Sequence, residues 1–136
     1  MMAGFLTDYS NNKVLDLFFG SSIFTPPPTL YLGLSMTSAN KGGSYIEPSG
    51  GGYARVAVAN NSTNFPTSSG GTKANAAVIT FPAPTADWGA VQSLFITDAP
   101  TGGNVLASAD LTVPKTVTGG STAPKVAVGA LFLSHS

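Results

Sequence analysis

Residues 29–34 read TLYLGL, with Leu30, Leu32 and Leu34 at every second position and Tyr31 and Gly33 between them. A period of two puts alternate side chains on one face, so the stretch is a strand with one side in a core. Outward from it the same period returns. Ala54, Val56 and Val58 alternate against Tyr53 and Arg55, and Ala77, Ile79 and Phe81 repeat the pattern until Pro82 and Pro84 stop it. Residues 91–97 (VQSLFIT) and 105–111 flank the turn 98–104 (DAPTGGN). Pro114 to Thr118 is short and carries a proline, which suits a sheet edge. Residues 125–133 (KVAVGALFL) are apolar on both faces, as in a strand that is covered on both sides or lies between subunits. Glycine runs at 42–43, 50–52, 70–71, 102–103 and 119–120 punctuate these segments, with longer loops near 35–52 and 60–75. The expected fold class is all-β: an antiparallel β-sandwich of about seven strands with one short N-terminal helix.

Before the strands the period changes. Val14, Leu15, Phe18 and Phe19 fall at helical spacing, with Ser10 as the expected N-cap, Tyr9 and Val14 as a hydrophobic staple, and Gly20 as the C-cap. One domain, 1–136, is expected, with helix and arm over 8–20 and the sandwich over 29–133. A helix of about ten residues is marginal in water alone, so its apolar stripe must pack on its own sheet or on a neighbouring subunit. Pro26, Pro27 and Pro28 then forbid helix and stiffen the entry to the first strand.

Composition narrows the function. The 136 residues include 6 Lys+Arg and 6 Asp+Glu, a net charge of zero, and 43% are hydrophobic. Such a chain folds, and a surface this poor in charge invites association. With no basic field, nucleic acid is not an expected partner. No apolar run approaches the roughly 18–20 residues that span a bilayer, so a membrane is not expected either. Cysteine is absent, which excludes disulfides and thiolate chemistry. The first twenty residues lack a basic leader and carry Asp8 and Asp16, so the expectation is assembly in a cytoplasm, and the sequons at Asn60 and Asn61 carry little meaning.

Groups for catalysis are few. His135, the single histidine, is penultimate, where neither an orienting carboxylate nor a rigid position is expected. Asp87, Asp98 and Asp110 lie about a dozen residues apart; Asp98 and Asp87 read as turn formers, which is favoured over a metal or acid–base cluster. Residues 69–73 (SGGTK) lack the spacing and following helix of a phosphate loop. No enzyme, cofactor or metal is expected. Trp88 before Gly89 reads as a core anchor ahead of a sugar platform. Arg55 has two readings: an inter-subunit ion pair with Glu47 or Asp98, or an exposed arginine whose stem covers Tyr53.

Three stretches together resemble a known family. Asn12 to Asp16 leads through Thr25-Pro26 to Thr29–Leu34; Glu47 precedes Ser49-Gly-Gly-Gly-Tyr-Ala-Arg55; and Thr80-Phe81-Pro82 leads through Asp87-Trp88-Gly89 to Asp98-Ala99 and Gly102-Gly103-Asn104. In this order they are similar to small bacteriophage virion structural proteins described as tail-fibre-like or as head decoration proteins. The resemblance covers roughly residues 10–133. It implies an oligomeric β-sandwich located in the virion, with no catalytic residues to carry over. Because the chain holds no shaft repeat, a capsid decoration or cement subunit is the favoured expectation. The alternative is a tail-fibre or baseplate adaptor, with host-glycan binding through Trp88, Tyr45 and Tyr53 as a further variant. The expected partners are sister copies, as a trimer, and the major capsid protein or other virion proteins. Candidate contacts are Phe5, Leu15, Phe18, Phe19, Tyr53, Arg55, Leu131 and Leu133.

Overall fold

The computed structural model describes residues 2–134. Its fold is all-β with a single helix. In chain order the elements are β1 (Met2–Leu6), α1 (Asp8–Phe18), β2 (Thr29–Ser35), β3 (Val56–Ala59), β4 (Thr72–Ala74), β5 (Ile79–Thr80), β6 (Gly89–Thr97), β7 (Val105–Val117), β8 (Lys125–Val126) and β9 (Leu131–Ser134). Seven strands form one curled sheet in the order β3-β2-β6-β7-β1-β9-β4, and β5 pairs with β8 as a second, two-stranded sheet. Every pairing is antiparallel except β1 with β9.

The alternation in TLYLGL does what its period requires. Leu30, Leu32 and Leu34 are buried in one cluster with Leu94 and Ile96 of β6 and Ala107 and Ala109 of β7. Ile79, Phe81 and Val126 from the small sheet and its flanks belong to the same cluster, so two layers enclose one core. Val91 and Leu94 are three apart yet both belong to it. A register shift between Val91 and Ser93 resets the alternation, and the partner strand runs from Asp110 to Lys115 across the same step. Pro114 lies in that bulge, where no ladder N–H is lost.

The structure departs from the sequence reading in five places. β1 was not expected as a strand, yet it sits inside the main sheet between β7 and β9. MAGFL is too short and too uniformly apolar to show a period, and only long-range pairing makes it a strand. The helix starts one turn early: Thr7, not Ser10, is the N-cap, its hydroxyl accepting from the Ser10 N–H at 3.4 Å. Thr7 is buried and also donates to the Val105 carbonyl, so the cap fastens the helix to β7. The expected strands 105–111 and 114–118 are one strand, β7. The expected strand 125–133 is two, broken at Gly129, which takes φ +72°. β4 arises inside the expected loop 60–75.

The other face of the main sheet is also covered. Ser35, Ser93, Phe95 and Thr97 point away from the core and are nonetheless buried. The lid is the β2–β3 connection, residues 36–55, whose Tyr45 ring stacks on Phe95 at 4.2 Å. Gly33 makes room for this: a Cβ there would lie 2.4 Å from Phe95 Cζ. Gly33→Ala is therefore expected to destabilise by about 1–3 kcal/mol through overpacking. Urea denaturation should show a lower midpoint at unchanged slope.

Candidate functional site

Two places gather polar or exposed apolar groups, and they differ in kind. The first is centred on Arg55. Nε and Nη2 donate to the two Glu47 carboxylate oxygens at 2.8 and 3.0 Å, a two-pronged ion pair. Nη2 also donates to the Tyr45 hydroxyl at 2.9 Å. Nη1 donates to Thr97 Oγ1 at 3.0 Å and to the Ala99 and Gly102 carbonyls at 2.8 and 2.9 Å. All five N–H groups of the fork thus have acceptors. The guanidinium lies 5.1 Å from the Phe95 ring centroid and 5.4 Å from that of Tyr45, and the Arg55 side chain is only 2% exposed.

Neither earlier reading of Arg55 survives unchanged. Glu47 is its partner, but the pair closes within one chain, and the arginine is not a solvated strand residue. It ties the 36–55 lid to the 98–104 turn. Tyr53 extends the cluster: its hydroxyl accepts from the Leu34 N–H at 2.9 Å and donates to Glu47 Oε1 at 2.8 Å. Burial and the Glu47 carboxylate push the Tyr53 phenol well above its ordinary value. Burial works against the Arg55 charge, and Glu47 outweighs it, so Arg55 is held charged.

Trp88 packs edge-on to Tyr53, with ring centroids 5.2 Å apart, and donates from Nε1 to the Gly51 carbonyl at 2.8 Å. Gly51 takes φ +60°, and a Cβ on it would lie 2.9 Å from the Ala86 carbonyl oxygen, so glycine is required there. Trp88, 3% exposed, is a core anchor and offers no free face to a sugar. The three aspartates are also spoken for separately. Asp87 accepts from Gly119 N–H, Asp98 from Asn104, and Asp110 from Ala39 N–H. No cluster able to hold a metal occurs among the described residues. His135 lies outside them.

The second place is the helix. Not one α1 residue is buried. Leu15 is 50% exposed, Phe18 73%, Phe19 79% and, on the arm beyond, Ile23 91%. The sequence signalled this stripe but not which way it faces. Beside it lies a groove of about 390 Å³ between α1, the proline arm, residues 60–67 and the sheet. Val14 and Leu17 form its helix wall, Phe24, Pro26 and Pro27 its arm wall, and Leu30, Phe65, Leu106 and Leu133 its floor and far side. Lys13 and Lys73 also line it.

The eight candidate contacts therefore separate. Leu15, Phe18 and Phe19 are outward. Leu133 is half-buried at the groove, and Phe5 is half-buried on β1 opposite Ser108. Leu131 is fully buried in the core, so its place is in packing within the chain. Tyr53 and Arg55 are occupied inside the cluster. The groove went unseen in the sequence because Pro26, Phe65 and Leu133 meet only in three dimensions.

Two outcomes follow for the Arg55 cluster. Arg55→Ala removes the donor from the Glu47 carboxylate and from four carbonyl or hydroxyl acceptors and should cost about 3–5 kcal/mol. Arg55→Lys keeps the charge but not the fork, and should recover less than half of that in chemical denaturation. For Tyr53, the folded state holds the phenolic proton more tightly than the unfolded chain. Its stabilising contribution is whole below about pH 10 and is lost as pH rises through the folded value. Tyr53→Phe should be less stable at neutral pH, since the Leu34 N–H loses its acceptor, but should fall less steeply between about pH 9 and 11 in a melting series.

A family model described as Podophage GP4 fiber I protein gp80 matches residues 5–134. No curated protein matches the chain.

Proposed function

The chain belongs to the family of the podophage GP4 fiber I protein gp80, and from that premise we propose that it is a structural subunit of a bacteriophage fibre. It is a virion component that works by being held in place, and it performs no chemistry. The observation that carries this reading is α1: eleven residues of helix with none buried, bearing Leu15 and Phe18, and followed by Phe19 and Ile23. Such a helix is marginal unless something covers it, and an apolar surface of this size on a nearly uncharged chain marks a site of protein contact. The covering surface belongs to sister copies and neighbouring virion proteins.

The fibre reading takes precedence over shell decoration. Lack of a shaft repeat favoured decoration on length alone, whereas the family match spans nearly the whole chain and is to a fibre protein. A subunit of this form serves as a compact piece of the appendage and needs no shaft of its own. The clamp around Arg55 supports the same role by fixing the loops that would otherwise carry adaptable contacts.

Gold-labelled antibody on intact particles should mark the tail appendages and leave the shell bare. Gel quantification should give a copy number far below that of the major capsid protein. Uniform labelling of the shell, with near-stoichiometric abundance, would return the protein to the decoration class.

A further inference from the structure

The α1 groove has a complement on the same chain. It is apolar, about 390 Å³ in volume, and two lysines, Lys13 and Lys73, line it. Lys13 Nζ sits over the Tyr9 ring at 5.4 Å, and Lys73 Nζ makes one bond, at 3.3 Å, to the Phe65 carbonyl. Neither ammonium meets a carboxylate among the described residues, where the only ion pair is Arg55 with Glu47. A ligand suited to this groove is therefore apolar with one negative charge.

The outer side of α1 has that composition. Leu15, Asp16, Phe18 and Phe19 are all exposed. Asp16 lies near the helix C-terminus, where the peptide dipoles already present negative charge, and the last turn carries no basic residue. An acid in that position is unfavourable on its own and is relieved by a cation brought from outside. No cation of the described chain is within ion-pair reach of it.

We propose that the groove receives the end of α1 from a second copy of this chain, with Phe18 and Phe19 in the apolar cleft and Asp16 against Lys73 and Lys13. The inference rests on the fibre-subunit reading and names the partner and the contact. The area supports it: a buried aromatic contributes roughly 150–250 Å². Two of them, with Leu15, Ile23 and the groove walls, approach the about 800 Å² per partner of a stable interface. Zero net charge removes the long-range repulsion that would oppose the meeting of identical copies.

Charge exchange tests the contact in full-length protein. Asp16→Lys alone sets lysine against lysine, and Lys73→Glu alone sets acid against acid. Each should weaken self-association by about tenfold or more in sedimentation velocity. An equimolar mixture of the two variants should recover wild-type association, because each end of α1 then meets a groove of opposite sign. Both variants should keep the strand signal in circular dichroism and a cooperative melt, since both positions lie outside the core. Phe18→Ser should weaken association in the same way and should not be rescued by mixing. A monomeric wild type at all concentrations, association indifferent to the charge changes, or failure of the mixture to recover would each overturn the contact. Gold labelling of particles reads the fibre assignment separately: label on the shell with intact rescue would remove that assignment and leave the contact standing.

Discussion

One buried guanidinium holds the second face of this sheet closed. A curled sheet with a core on one side still has another side, and here that side carries Phe95, Ser35, Ser93 and Thr97, all removed from water. They are covered by a connection of about twenty residues with no regular structure of its own, which must therefore be fastened by side chains. Arg55 does this from the centre. Its fork reaches Glu47 and Tyr45 on the lid, Thr97 on β6, and the Ala99 and Gly102 carbonyls of the next turn. The pair is strong because every donor is satisfied in a water-poor site; the same burial makes loss of either partner costly.

Two of the three stretches that carry the family likeness turn out to be parts of this device. Glu47, the glycine run 50–52, Tyr53 and Arg55 form the clamp. Gly51 takes the indole hydrogen bond of Trp88, and the turn that begins at Asp98 supplies the Ala99 and Gly102 carbonyls. Phe81 lies in the core beneath. In those two stretches the likeness is one of fold, since these residues hold loops and core together. What faces outward is α1 with its arm, the surface on which the proposed role within a fibre rests.

How legible this was depends on the range of each interaction. β2, β5, β6 and the core leucines followed from a period of two, because half-burial imposes that period locally. Trp88 as an anchor and Asp98 as a turn former followed from the same local chemistry, whereas Asp87 and Asp110 accept from Gly119 and Ala39, far along the chain. β1 and β4 were not legible, since MAGFL and TKA become strands only through partners more than fifty residues away. The Thr7 cap was hidden for a similar reason: its second bond, to Val105, is tertiary. Arg55 was recognised as the unusual charge and paired with Glu47, but a strand pattern gives no sign that a loop folds back over that face. The groove had no signature, because its walls come from six separate stretches of the chain.

Two surfaces thus differ in kind, a clamped face that is complete within the chain and an apolar helix face for which a covering partner is proposed. Hydrogen–deuterium exchange on the isolated protein and on the same protein within intact particles tests that division most directly. The account predicts that amides of 45–55 and 98–104 exchange slowly in both, while those of 8–24 exchange readily in isolation and become protected in the particle. Protection gained at 45–55 and 98–104 with 8–24 unchanged would contradict it.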